Sequence, residues 1–232
     1  MQGERRKPAD SRVFLPNFLR PFAIMNDPRP GVFYTSHQGC VMHKFNPRAY
    51  GPAVVGLLKD ARVNELGPGE ADGHVRGSLA ALTAESVTAP HTIADQNEAI
   101  ACLAGLWLRH DFLDESHRIS QSVETPSGSY WHALVHRREP DFSNAKYWFR
   151  RVGEHPIFPQ LHEAARHLAQ QANVGQPAQF LMEQSAWDAL RFVDLCEYAL
   201  DDLPPIHTLC MNIQKCEWEL LFDHCYRQAI DD

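Results

Sequence analysis

Two sets of three polar residues have the spacing that places side chains on one face of a helix. Both sets follow the pattern i, i+4, i+7, and they consist of His110, Asp114 and His117, and of His132, His136 and Glu139. At about 100° per residue, each set covers about 60° of the helical circumference. Imidazole and carboxylate groups that converge in this way can bind a divalent transition metal. The six residues are therefore candidate metal ligands.

The two polar faces are expected to meet. The segment between the two sets contains TPSGS at 125–129, which reads as a loop, and helices joined by a short loop usually pack antiparallel. A composite site would then form between the two helices. The same spacing also fits a structural role, in which each buried imidazole has a carboxylate partner that fixes its tautomer.

A second candidate site, for a small anionic ligand, consists of Arg137, Arg138, Asp141 and Asn144. Arg138 falls on the apolar side of its helix beside Trp131, and a buried guanidinium needs a carboxylate from the protein or from a ligand. The alternative is an internal ion pair. The carboxylates available for it are Asp111, Asp114, Glu124 and Asp141.

The charge pattern argues against nucleic acid as a partner. The net charge is −7, yet residues 1–50 carry eight Lys/Arg against three Asp/Glu, and residues 201–232 carry two against seven. This asymmetry favours an N-terminal arm that lies against an acidic body. Binding to phosphates draws most of its affinity from positive charge, which the chain as a whole lacks.

Several function classes have no support in the sequence. It contains no phosphate-binding loop, no glycine-rich dinucleotide motif and no G-x-S-x-G nucleophile motif, so no catalytic residue is assigned. No apolar run approaches the length of a membrane span or follows the charged N-terminus as a targeting segment would require. The six cysteines include no C-x-x-C pair, which indicates reduced structural thiols in a cytoplasmic protein.

The elements that must position these residues are helical. The sequence predicts an all-α, compact single-domain bundle of about seven helices over residues 51–232, and residues 1–50 as an extended arm packed on the body. The longest helix is expected to begin near Asp95 and to continue to Ile119, with apolar residues around almost its whole circumference, as in a central buried helix. Other helices are predicted near 51–63, 77–87, 130–138, 141–152, 157–172, 186–200 and 205–229.

The run WHALVHRREPDFSNAKYWFRRVGEHP resembles a pattern found in a family of uncharacterised bacterial and fungal helical proteins. The resemblance covers about residues 50–228 and implies a helical fold without an assigned activity. Its shared residues are His132, His136, Arg137, Glu139, Asp141, Asn144, Ala145, Trp148, Arg151 and Gly153. The piece DFSNAKYWFRRVG is also similar to a tetratricopeptide or Sel1-type helix, although no 34-residue period recurs.

Two functional hypotheses follow. In the first, the His, Asp, Arg and Glu residues form a polar pocket in the bundle that binds a metal ion or a small anionic ligand; the cofactor is unknown, and a divalent metal is the candidate. In the second, the protein is a helical scaffold for a protein partner, and the same residues form an internal hydrogen-bond and ion-pair network.

Overall fold

The computed structural model describes residues 45–59, 62–172, 174–201 and 204–230, and the backbone of two short strands. These strands, β1 (Tyr34–Thr35) and β2 (Val41–Met42), pair antiparallel with Tyr34 opposite Met42. Most of the predicted arm therefore lies outside the described residues. Its last part packs on the body, where Phe45 contacts the ring of Trp218 at 5.8 Å between centroids.

The prediction of an all-α fold is confirmed. The described residues form eleven α-helices rather than about seven, because several connections contain helices of only one or two turns. Two 3-10 helices, Pro47–Ala49 and Gln176–Ala178, accompany them. The α-helices are α1 (Pro52–Leu57), α2 (Arg76–Ala80), α3 (Ala84–Thr88), α4 (Gln96–Arg109), α5 (Leu113–Gln121), α6 (Pro126–Arg138), α7 (Phe142–Val152), α8 (Phe158–Ala172), α9 (Phe180–Glu183), α10 (Ala189–Ala199) and α11 (Pro204–Ile230).

The prediction of one long helix from Asp95 to Ile119 is wrong. Asp95 does cap the first part, α4, by accepting hydrogen bonds from the backbone of Asn97 and Glu98. The chain then breaks at Asp111, whose φ of 63° lies in the left-handed region that a continuing helix excludes. A new helix, α5, starts at Leu113, and the hydroxyl of Ser116 holds it against α4 by donating to the carbonyl of Ala104 at 2.8 Å.

Asp111 is held in this conformation by contacts from distant parts of the chain. Its carboxylate accepts hydrogen bonds from Arg138 of α6, from Arg62 and from the side-chain amide of Asn64 at 2.8 Å. A buried carboxylate with three donors is well compensated for the water it has lost. The break between α4 and α5 is thus tied to the end of α6.

Helix α6 is the central helix of the bundle. Each residue from Ser127 to Arg138 is buried, and α4, α5 and α7 all pack on it. Thr125 caps its first turn by accepting from the backbone of Gly128 at 3.0 Å. Gly105 of α4 lies so close to α6 that a Cβ there would come within 2.7 Å of the Trp131 ring. The polar side chains of α6 must therefore find partners inside the protein.

The long helix α11 supplies one such partner deep in the core. Glu217, which is fully buried, accepts hydrogen bonds from Arg137 at 2.5 Å and from the hydroxyl of Tyr130 at 2.9 Å. The negative charge of Glu217 raises the pKa of Arg137, although burial opposes this effect. Nearby, the rings of Trp218 and Phe222 stack at 4.9 Å. No helix among the described residues combines the length and apolar character needed to cross a bilayer.

Neutralising Glu217 should strongly destabilise the protein. We expect Glu217→Gln to lower the free energy of unfolding by about 3–5 kcal/mol, because Arg137 would remain charged and buried without a counter-ion. Urea denaturation measures this loss. A double variant, Arg137→Met with Glu217→Leu, should recover much of it, since apolar side chains need no counter-ion.

The exposed ion pair between Lys146 and Asp194 provides the matched control. Asp194→Asn should change the free energy of unfolding by less than about 1 kcal/mol, because solvent screens the pair. Equal losses in Glu217→Gln and Asp194→Asn would contradict a special role for the buried pair.

Candidate metal centre

Two of the candidate ligands stand one helical turn apart on α6. His132 and His136 are buried, with 2% and 7% of their surface exposed, and their Nε2 atoms lie 3.0 Å apart. At this distance the proton of one imidazole is donated to the other. The i, i+4 spacing therefore brings two ring nitrogens to one point, as the sequence predicted.

Helix α5 adds a third imidazole. His117, which is partly exposed, has its ring centroid 4.4 Å from that of His132 and 5.0 Å from that of His136. One nitrogen from each of the three rings lies within 4.8 Å of the others. The break at Asp111 makes this possible, since it frees α5 to take a direction different from that of α4.

Helix α7 covers one side of the three histidines. The indole of Trp148 stacks on His132 with a centroid distance of 4.0 Å and an interplanar angle of 28°. The guanidinium of Arg151 lies 5.2 Å from the centre of the Trp148 ring. This stack restricts the orientation of His132. The sequence does not identify Trp148 as a residue of this site.

Carboxylates lie on the other side of His136. Oε2 of Glu139 is 3.2 Å from Nδ1 of His136, within ion-pair distance, and Oδ2 of Asp141 is 3.9 Å from the same nitrogen. Burial raises the pKa of Glu139, and so do the charges of Asp114 and Asp141, whereas His117 lowers it. Asp114 is exposed on the first turn of α5. It is not one of the groups that converge in the cluster of imidazoles among the described residues.

The electrostatic environment keeps the two buried imidazoles neutral. Burial, together with the neighbouring His117 and His136, lowers the pKa of His132 to about 3. Burial and His117 also lower the pKa of His136, against a smaller opposing effect of Asp141. A neutral imidazole keeps the lone pair that a metal ion requires.

His110 is not part of this cluster. It lies at the end of α4, where its Nε2 is 3.0 Å from the carbonyl oxygen of Leu57 and its Nδ1 is 3.9 Å from Asp72. The prediction that His110 shares a helical face with Asp114 and His117 is wrong, because the chain changes direction at Asp111.

The candidate residues for an anionic ligand do not form one pocket. Arg137 pairs with Glu217, and Arg138 pairs with Asp111. Asp141 caps α7, and the side-chain amide of Asn144 donates to it at 3.1 Å. The two arginines line a cavity of about 20 Å³, which is enough space for about one water molecule.

The contacts of the buried His155 explain it as a structural residue. Nε2 of His155 lies 3.4 Å from the hydroxyl of Ser127, and its Nδ1 accepts a hydrogen bond from the backbone of Ile157. With Nδ1 as acceptor, the proton of the neutral ring sits on Nε2 and is donated to Ser127. His155 is therefore not arranged as a base for that serine. Ser127 lies in the first turn of α6, where the sequence predicted a loop.

Acid should destabilise the metal-free protein through His132. Its pKa is about 3 in the folded state and about 6.5 in an unfolded chain. The unfolded state therefore binds the proton first, and the free energy of unfolding falls as pH drops from about 6.5 towards about 3. We expect His132→Gln to lose less stability than the wild type between about pH 7 and about pH 5, as urea denaturation with a chelator present would show.

The exposed His91 is the control for this comparison. His91→Gln should retain the pH dependence of the wild type. Part of the acid sensitivity should also remain in His132→Gln, because burial lowers the pKa of His155 to about 3 as well. A variant His132→Gln with an unchanged pH dependence would show that His132 is not held neutral.

Comparison with known proteins adds no family to this description. The chain matches no protein-family model, no curated protein and no solved structure. The geometry of the three histidines is therefore the basis on which we infer a function.

Proposed function

We propose that the protein binds a divalent transition metal through His117, His132 and His136. The observation that carries this proposal is the convergence of three imidazole nitrogens within 4.8 Å of one another. Three neutral imidazoles are a common ligand set for zinc, with a fourth position left for water or another ligand. The cofactor of the site is accordingly a metal of the zinc, cobalt, nickel or copper type, because imidazole suits these ions.

The spacing of the nitrogens fits such an ion with little rearrangement. Zinc binds histidine at about 2.0–2.1 Å in a tetrahedral arrangement, which places two ligand nitrogens about 3.3 Å apart. The two Nε2 atoms of His132 and His136, at 3.0 Å, are close to this separation. His117 lies on a separate helix and is partly exposed, and one of its ring nitrogens is within 4.8 Å of the other two.

A purely structural network explains the histidines less well. Such a network would pair each buried polar atom, as it does for Arg138 and Asp111. Nδ1 of His136 has Glu139 beside it at 3.2 Å, but Nδ1 of His132 lies buried without a hydrogen-bond partner among the described residues. Unlike either arginine, His132 has no ion-pair partner among these residues.

The contacts of Arg137 and Arg138 support the scaffold hypothesis for these two residues only. Arg137 and Arg138 already have carboxylate partners, which supports a structural role for them. We therefore assign the metal-binding function to the three histidines and leave the arginines to the stability of the fold.

Metal content provides the test. Untagged protein purified without chelator or nickel should carry about one equivalent of metal per chain by mass spectrometry, and His132→Ala/His136→Ala should carry almost none, because one remaining imidazole binds weakly. The matched control is His110→Ala, which removes a histidine of the same region whose ring bonds to Leu57.

His110→Ala should keep its metal. It should lose about 1–2 kcal/mol of stability, since the carbonyl of Leu57 loses a buried hydrogen bond. A wild-type protein that stays metal-free even after incubation with zinc chloride would refute the proposed function. Equal metal content in the double variant and the wild type would refute the assignment to these residues.

A further inference from the structure

His136 presents its two ring nitrogens to different partners. Its Nε2 faces His132 at 3.0 Å and points into the cluster of three imidazoles. Its Nδ1 faces away from the cluster, towards Oε2 of Glu139 at 3.2 Å. A metal ion among the imidazoles would therefore meet Nε2, and the carboxylate of Glu139 would lie on the far side of the ring.

This arrangement decides which nitrogen of His136 carries the proton. A neutral imidazole has one N–H and one lone pair, and the hydrogen bond at one nitrogen sets the state of the other. If Nε2 binds the metal, the proton must sit on Nδ1, which is buried and needs an acceptor. Glu139 is the nearest carboxylate to that nitrogen, since Asp141 is at 3.9 Å.

The end of α6 fixes Glu139 in this position. Glu139 follows the last residue of the helix, and its backbone N–H still bonds to the carbonyl of Val135 at 2.9 Å. The i, i+3 spacing from His136 brings the carboxylate beside the ring. Its side chain is 31% exposed, so one carboxylate oxygen can remain in water while the other faces His136.

We propose that Glu139 is a positioning residue of the metal site rather than a metal ligand. Its carboxylate accepts a hydrogen bond from Nδ1–H of His136 and so keeps the lone pair on Nε2 directed towards the metal. This inference rests on the proposed function and changes the role that the sequence suggested for Glu139. Carboxylates placed in this way behind a ligating imidazole also increase its basicity, and their loss typically weakens metal binding 10–100-fold.

The experiment is a titration of the full-length protein, freed of metal, with cobalt chloride, followed by competition with zinc chloride. Glu139→Ala should bind both ions about 10–100-fold more weakly than the wild type. The affinity of Glu139→Gln for both ions should lie between those of Glu139→Ala and the wild type. Its amide oxygen still accepts the hydrogen bond from Nδ1–H but carries no charge. The absorption bands of bound cobalt should keep their wavelength and intensity in both variants, since the three imidazole ligands remain.

Asp114→Asn is the matched control. Asp114 lies close enough to raise the pKa of Glu139, so its replacement by Asn removes one negative charge from the same neighbourhood. Asp114 is exposed and is not among the converging groups. This variant should bind cobalt with an affinity within about threefold of the wild type, because a solvent-exposed charge acts weakly. The melting temperatures of the metal-free variants report any general damage to the fold.

Each other outcome has a distinct meaning. Cobalt bands that shift in Glu139→Ala would show that Glu139 is a direct ligand, and this result overturns the positioning role. Equal weakening by Glu139→Ala and Asp114→Asn, or no weakening by either, overturns it as well. A wild-type protein that binds neither ion refutes the proposed function itself, and the role of Glu139 falls with it.

Discussion

The burial of α6 is the constraint on which the rest of the structure depends. This helix carries two histidines and two arginines, and all four are removed from water because helices pack around it. A buried polar group without a partner costs a large part of the net free energy of unfolding of a native protein. The neighbours of α6 supply these partners. Glu217 of α11 pairs with Arg137, Asp111 at the α4–α5 break pairs with Arg138, and His117 of α5 contacts the two histidines.

The arginines and the histidines of α6 have different kinds of partner. The two arginines meet carboxylates, which neutralise their charge inside the protein. The two histidines instead meet a third histidine, and His132 also meets a tryptophan, while only His136 has a carboxylate, Glu139, beside its ring. Burial lowers the pKa of both imidazoles and so favours their neutral form. The histidines and the arginines of α6 therefore face different partners, although His136, Arg137 and Arg138 are consecutive.

Local sequence signals predicted much of this arrangement. The bounds of the helix predicted near 141–152 and the approach of His132 to His136 depend on neighbours within a few residues, and both agree with the structure. The break at Asp111 could not be predicted, because apolar residues continue through it and the left-handed conformation is held by Arg138, Arg62 and Asn64 from distant positions. For the same reason the sequence placed His110 in the site. The stacking of Trp148 on His132 depends on how α7 is rotated against α6, which one sequence does not determine.

The measurement that tests the central claim most directly is anomalous X-ray scattering at the zinc edge from crystals of the protein grown with zinc chloride. If the three histidines bind zinc, we expect one strong peak, about 2.0–2.1 Å from a ring nitrogen of each of His117, His132 and His136. Glu139 should then lie behind His136, outside the coordination sphere. Zinc found only on exposed histidines, with the three buried rings unchanged, would contradict the account.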